Sequence, residues 1–202
     1  IKQQKQTFLM VSGAKRSQKW VFLHMIASSH SQWRDGKQAQ LEIYSLMTQT
    51  KTDITKDTEE YTIRPICPAD DEALMNIAHR AFEEFDAPRT GSVYCDPRME
   101  HLSQEFMRND AEYWVIERDG MVMGSCGFYP TEGLPEGMAE VVKFYFCPSL
   151  RGHGMGLSML RRIEERASKA GYKRLYIESF PQFSKAVSLY RKFGFEPLPH
   201  AL

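Results

Sequence analysis

The sequence predicts a protein of the α/β class, and three observations support this. From Tyr61 onward, runs of β-branched and aromatic residues alternate with stretches whose apolar side chains recur at helical spacing. Asp119 and Gly120 form a favoured two-residue turn between two β-type runs, AEYWVIE and MVMGSCGFY. Apolar residues make up 42% of the chain, which is enough to build a core around such elements.

Composition excludes several kinds of protein. The chain has 202 residues, and its 26 basic residues balance its 26 acidic ones, so no global field attracts nucleic acid or a membrane surface. We find no apolar run long enough to span a bilayer and no secretory signal. The four cysteines are scattered without a CxxC pair, and the six histidines are dispersed. We therefore expect a cytoplasmic protein with reduced thiols, no metal, no nucleic-acid partner and no membrane partner.

A change of polarity near residue 50 predicts three regions: an N-terminal extension over 1–50, a Thr-rich linker over 51–60, and a domain over 61–202. In the extension, QTFLMVSGAK and QKWVFLHMIASS predict a hairpin, and DGKQAQLEIYSLMTQ predicts a helix. Residues 7–30 faintly resemble the closing hairpin of SnoaL-like folds through KWVFLHMIASS, which contains W-x-x-x-H-x-x-x-S. The alternative is an extension without a function of its own.

The domain is predicted to contain four helices and several strands. The helices are expected over 71–85, 99–109, 157–170 and 184–193, where apolar residues repeat at three- and four-residue spacing. The strands are expected over 61–67, 111–117, 121–129, 138–146, 173–180 and 195–198.

The stretch RGHGMG lies between a predicted strand and a predicted helix and contains three alternating glycines. Glycine loses the most backbone freedom on folding, so three of them indicate more than a tight turn. A helix N-terminus exposes unpaired N–H groups and a partial positive charge, which together bind phosphate. Neither the P-loop pattern nor the dinucleotide-binding pattern GxGxxG fits here. We predict a ligand that carries a pyrophosphate.

Two motifs resemble those of the GNAT superfamily of N-acetyltransferases. R-G-x-G-x-G after Cys-Pro is similar to its acetyl-CoA pyrophosphate signature, and AVSLYRKFGFE is similar to A-x-x-L-Y-x-K-x-G-F. The resemblance covers about residues 61–198. It implies an α/β (α+β) fold with a mixed, mostly antiparallel sheet and helices on both faces. It also implies direct transfer of acetyl from acetyl-CoA to a primary amine of a small molecule or a protein. Family members often pair, so a homodimer stays open.

The resemblance also implies the residues that hold the cosubstrate. The backbone N–H groups around Phe146 and Cys147 would face the thioester and the pantetheine arm. Ser184 stands near the position of a common Asn, and we expect it either to replace that Asn or to cap the last helix. With the glycine-rich loop, the expected cofactor-binding residues are Phe146, Cys147, Arg151, Gly152, His153, Gly154, Met155, Gly156 and Ser184.

Tyr190 and Glu140 are the expected catalytic residues. Tyr190 stands at the family's tyrosine position and would donate a proton to the departing sulfur, although it also fits the apolar face of its helix. Glu140 would act as general base through a water molecule, or it is only a carboxylate at a strand end. Glu178 is the reserve base, or it binds the ammonium group of the substrate.

Two rival hypotheses remain at this point. The chain could be a non-catalytic module that binds an acyl-CoA and regulates a partner. A DNA-associated regulator is disfavoured by the neutral charge, since nucleic-acid binding requires a basic face. The loops expected to contact the acceptor carry no readable specificity.

Overall fold

A computed structural model describes residues 5–11 and 61–202 of the chain. The strands are β1 (Gln6–Val11), β2 (Thr62–Pro65), β3 (Glu112–Arg118), β4 (Met121–Tyr129), β5 (Met138–Phe146), β6 (Arg174–Ser179) and β7 (Glu196–Pro197). The α-helices are α1 (Asp71–Glu84), α2 (Leu102–Glu105), α3 (Met155–Lys169) and α4 (Ser184–Phe193). In these described residues no helix is long and apolar enough to cross a membrane.

The strands form one mixed sheet in the order β2-β3-β4-β5-β6-β1-β7. Only β5 and β6 pair in parallel; the other neighbours in this described sheet are antiparallel. The predicted hairpin is β3–β4, and Asp119 and Gly120 both adopt the positive φ that its two-residue turn requires. The mixed, mostly antiparallel sheet is confirmed.

Helices cover both faces of the sheet because side chains alternate along β3. Tyr113 and Val115 pack with Leu74 and other residues of α1 in one buried cluster. Trp114, between them, lies under the guanidinium of Arg162 from α3, which is 5.9 Å from the ring centroid. The expected placement of helices on both faces is confirmed.

The second predicted helix, over 99–109, is shorter in the structure. A 3₁₀ turn over Pro97–His101 leads into α2, which ends at Glu105. Beyond it, Phe106 packs against the rings of Tyr113 and Tyr129, and the guanidinium of Arg108 binds the Tyr129 hydroxyl at 2.8 Å. These contacts with the sheet replace further helical turns.

Strand β1 lies inside the sheet. It pairs with β6 over six residues, from Gln6↔Ser179 to Val11↔Arg174, and also with β7. The carbonyl of Thr7 accepts a hydrogen bond from the Leu198 N–H at 2.8 Å. Part of the predicted extension therefore belongs to the same sheet as the following domain. The second hairpin strand, the helix from Asp35, the linker and most of the SnoaL-like stretch lie outside the described residues.

At Gly127, strands β3 and β4 are packed too closely to leave room for a side chain. A Cβ atom there would overlap the carbonyl oxygen of Glu112, a backbone atom that cannot move without breaking the β3–β4 ladder. We expect Gly127→Ala to lower the free energy of unfolding by about 3 kcal/mol, measured by urea denaturation. Gly120→Asn is the control, because Asn tolerates positive φ and this position has no neighbour within 4 Å. Equal losses in the two variants would contradict the packing argument.

Candidate functional site

Strands β5 and β6 separate part-way along their length. Their pairing runs from Met138↔Arg174 to Glu140↔Tyr176 and stops there, although both strands continue. The described residues on the two sides line a cavity of about 1480 Å³. Cavities for one small ligand typically measure about 300–1,000 Å³. The gap therefore has room for two substrates.

The backbone at the end of β5 presents one donor to this gap. The Cys147 N–H donates to the Met123 carbonyl at 2.8 Å, so this pair is hydrogen-bonded across β4 and β5. Hydrogen-bonded and non-hydrogen-bonded pairs alternate in an antiparallel ladder. Phe146, paired with Gly124, therefore turns its N–H away from β4 and toward the gap. The direction of the Phe146 N–H is compatible with the expected contact to the cosubstrate. The Cys147 N–H, in contrast, already donates to β4.

The three glycines of the loop serve two different purposes. Gly152 and Gly154 have φ of +84° and +81°, and a Cβ atom added at either would meet no atom within 4 Å, so they are required by backbone conformation. Gly156 lies in the first turn of α3, where a Cβ would be 2.8 Å from Cδ2 of Leu189. It lets α3 approach α4 closely.

The start of α3 leaves donors free for a ligand. Its first turn closes with the Ser158 N–H donating to the Gly154 carbonyl at 3.1 Å. The N–H groups of Met155, Gly156 and Leu157 precede that bond and have no partner within the helix. The Met155 side chain is buried, so only its backbone can contribute. Gly152, Gly154, Gly156 and Leu157 all line the cavity.

Arg151 holds the loop in place. Its Nε donates to the Phe146 carbonyl at 2.8 Å and its Nη1 to Glu84 at 2.6 Å. Its guanidinium also lies 5.1 Å from the centroid of the Phe85 ring. These contacts tie the loop to β5 and to the end of α1, so most of the guanidinium is already engaged.

Neither His153 nor Ser184 lines the main cavity. His153 is exposed and does not line the main cavity among the described residues. Ser184 lines a smaller cavity beside α4, whereas its neighbour Phe183 lines the main one. Phe183 thus occupies the wall where a shorter polar residue was expected.

Tyr190 lies on α4 with only 3% of its surface exposed, and it lines the cavity. Its ring contacts those of Phe8, Phe144 and Phe195. Its hydroxyl has no hydrogen-bond partner among residues 5–11 and 61–202. Burial raises its pKa, so the phenol keeps its proton at neutral pH. The residue therefore belongs to the core and is also a protonated phenol in the cavity wall.

Glu140 and Glu178 stand on the two strands that border the gap, and both line the cavity. Burial raises the pKa of Glu140, the hydrogen bond from Thr131 Oγ1 at 2.5 Å opposes this, and the charge of Glu178 adds to it. Glu178 accepts hydrogen bonds from the Tyr176 hydroxyl at 2.7 Å and from Lys5 Nζ at 3.0 Å. Among the described residues, Glu140 thus accepts one side-chain hydrogen bond, whereas Glu178 accepts two.

Sequence reasoning missed Thr131 and Lys5 as members of this site. Thr131 follows β4 in a loop without a motif, and Lys5 reaches the site only because β1 enters the sheet beside β6. Cys147 also lies beside the gap, but it is a poor nucleophile, because burial raises the pKa of this half-buried thiol and keeps it protonated.

Comparison with known proteins identifies the family. The family model for the Acetyltransferase (GNAT) family matches residues 72–195. The chain belongs to this family. Its members transfer acetyl groups, so this GNAT protein is an acetyltransferase.

Relatives and solved structures agree with this assignment. The GNAT chain is 30% identical over 141 residues to the uncharacterized N-acetyltransferase YjgM of Escherichia coli, covering 69% of this chain and 84% of YjgM. A GNAT acetyltransferase from Staphylococcus aureus superimposes with a TM-score of 0.60 at 15% identity, covering 67% of this chain and 83% of that one. An acetyltransferase from Clostridium acetobutylicum solved with acetyl-CoA gives 0.55 at 18% identity, covering 70% and 94%. At these identities the two structures support the fold alone.

Proposed function

We propose that this enzyme moves acetyl from acetyl-CoA directly to a primary amine of a small molecule or a protein. The observation that carries the proposal is the gap between β5 and β6. It opens at the N-terminus of α3, and its walls include Glu140 from one strand and Tyr190 from α4. A proton acceptor, a proton donor and an anion-binding helix end therefore share one cavity.

The chain's own residues fit the cosubstrate. The free N–H groups at the start of α3 and the left-handed backbone of Gly152 and Gly154 form a cradle for a pyrophosphate. The Phe146 N–H faces the gap, where it can pair with the pantetheine arm or with the thioester oxygen. The neighbour from Clostridium acetobutylicum was solved with acetyl-CoA. When bound, acetyl-CoA supplies an activated acetyl group as a thioester.

Three residues then have separate roles in the transfer. Glu140 removes a proton from the substrate's ammonium group, directly or through water, so that the amine can attack. The Phe146 N–H stabilises negative charge that develops on the carbonyl oxygen. The C–N bond forms as the C–S bond breaks, and Tyr190 gives its proton to the departing sulfur. The nitrogen loses its second proton as it becomes an amide, and that proton restores the Tyr190 phenol through solvent. No acyl-enzyme is needed.

The test is acetylation of an amine panel. The enzyme is incubated with acetyl-CoA and with small amines, amino acids and peptides, and products are detected by thiol release and mass spectrometry. An N-acetylated product with stoichiometric thiol release supports the proposal. Tight acetyl-CoA binding without product from any amine would favour the non-catalytic regulatory module instead.

Glu140→Gln tests the general base. A base must be ionised, and burial raises the Glu140 pKa, so kcat/KM should fall as pH falls through a value above the ordinary glutamate pKa of about 4.3. We expect Glu140→Gln to lower kcat by roughly 10²-fold and to remove this acidic limb. The measurement is a pH profile of kcat/KM.

Glu178→Gln is the matched control for that profile. Its negative charge contributes to the raised pKa of Glu140, so removing it should move the acidic limb to lower pH without abolishing it. If Glu178→Gln removes the limb and Glu140→Gln keeps it, Glu178 is the base and the assignment is wrong.

A further inference from the structure

Lys143 has an unusual backbone conformation for its place in a strand. It lies in β5 with φ of +50°, where the pairing with β4 slips by one residue between Ser125 and Gly127. The left-handed conformation costs a residue with a Cβ roughly 1–2 kcal/mol, and glycine is the usual occupant of such bulges. Strain of this kind clusters at functional sites. A lysine where glycine would fit without strain therefore indicates a role for the lysine side chain.

That side chain is a buried cation in the cavity wall. Only 14% of it is exposed, and it lines the cavity that also contains Glu140. Its nearest anionic partner is Asp96, at 3.4 Å from Nζ to Oδ2. Asp96 already accepts hydrogen bonds from both Nε and Nη2 of Arg98, at 2.9 Å and 3.0 Å. The carboxylate of Asp96 is thus shared by two cations, Lys143 and Arg98.

Two other cations that line the cavity, Lys5 and Arg108, have closer anionic partners. Lys5 pairs with Glu178 at 3.0 Å. Arg108 binds the carboxylate of Asp110 through two nitrogens and also the hydroxyl of Tyr129. Of these three cations, Lys143 has the longest ion pair, and it shares its partner with Arg98. A second anion beside Lys143 would therefore stabilise its buried positive charge.

We propose that Lys143 binds a carboxylate of the acceptor, so that the acceptor is an α-amino acid or a similar small amine with a carboxylate beside its amino group. This inference rests on the proposed function, because it places the amino group at Glu140. Lys143 and Glu140 lie three residues apart on one strand, a span of at most about 10 Å. Both side chains also line the same cavity.

The proposal separates free amino acids from protein acceptors. The N-terminal amino group of a polypeptide is followed by an amide, which carries no negative charge for Lys143. A simple alkylamine also lacks it. The enzyme should therefore prefer free amino acids to both.

The experiment compares matched acceptors. Kinetics are measured with a panel of α-amino acids, each beside its amide and its decarboxylated amine, such as L-leucine, L-leucinamide and isopentylamine. We expect kcat/KM to favour the amino acid by roughly 10- to 100-fold, the size of one charged hydrogen bond. Lys143→Met should remove this preference mainly by raising KM for the amino acid.

Two further variants complete the design. Lys143→Asn removes the charge with a residue that tolerates positive φ, so it stays informative if Lys143→Met folds poorly. Lys169→Met removes an exposed lysine of α3 that does not line the cavity, and it should keep the preference. Calorimetry in the presence of CoA gives a second readout, because N-acetyl-L-leucine should bind more tightly than N-acetylisopentylamine only while Lys143 is present.

The outcomes distinguish this inference from the proposed function. If amides and alkylamines are acetylated as well as the amino acids, or if the Lys143 variants keep the preference, the carboxylate site is wrong while N-acetylation stands. If no amine of any class is acetylated, the proposed function fails, and this inference fails with it.

Discussion

Gly154→Glu is expected to abolish acetyl-CoA binding while the protein stays folded. Gly154 has φ of +81° at the N-terminus of α3 and lines the cavity. Glutamate there brings a negative charge to the place where we expect the pyrophosphate, and it strains a left-handed backbone. We expect at least a roughly 100-fold rise in Kd, since both phosphate contacts and the favourable helix end are lost. Calorimetric titration of acetyl-CoA, beside desulfo-CoA and ATP, measures it.

Gly171→Glu is the control for that variant. Gly171 has φ of +99°, a Cβ atom added to it would meet no atom within 4 Å, and it does not line the described cavity. It therefore carries the same backbone strain and the same added charge at a site away from the ligand. We expect its affinity for acetyl-CoA to match that of the unaltered enzyme. Equal loss in the two variants would show that strain, and not phosphate binding, explains the result.

Tyr190→Phe is expected to lower kcat by roughly 10²- to 10⁴-fold, the range for a general acid. The ring and its contacts with Phe8, Phe144 and Phe195 are kept, so stability and the Kd for acetyl-CoA should change little. Only a hydroxyl without a partner in the described residues is removed. Single-turnover kinetics separate this chemical step from binding.

Tyr172→Phe provides the comparison for the loss of a tyrosine hydroxyl. Tyr172 donates to the Asp110 carbonyl at 2.8 Å and does not line the cavity. We expect a small loss of stability and an unchanged kcat. If Tyr190→Phe also leaves kcat unchanged, another group protonates the sulfur and Tyr190 serves packing alone.

The local part of this fold could be predicted from the sequence, because it depends on neighbouring residues. Asp119 and Gly120 specify their turn by themselves, and the apolar spacing in α1, α3 and α4 specifies the buried faces. The loop glycines also indicated an unusual backbone. Their division into conformational glycines and a packing glycine required the position of Leu189, which lies on another helix.

The remaining features depend on pairing between distant segments. Whether the Cys147 N–H is free is decided by which carbonyl of β4 lies opposite, and Met123 does. The conformation of Lys143 follows from a one-residue slip between the same two strands. The entry of β1 beside β6 joins residues that are more than 160 positions apart in the chain. A local sequence pattern cannot predict these pairings, because each depends on a second strand.

The position of β1 has a consequence for how the chain is made. β1 is synthesised well before its partners β6 and β7, because more than 160 residues separate Val11 from Arg174. Until they arrive, Gln6–Val11 is an apolar strand without its neighbours, and β7 has no other place in the sheet because it pairs only with β1 among the described strands. Completion of the sheet beside the gap therefore waits until β6 and β7 have been made, and until then the nascent chain carries an unpaired, aggregation-prone strand.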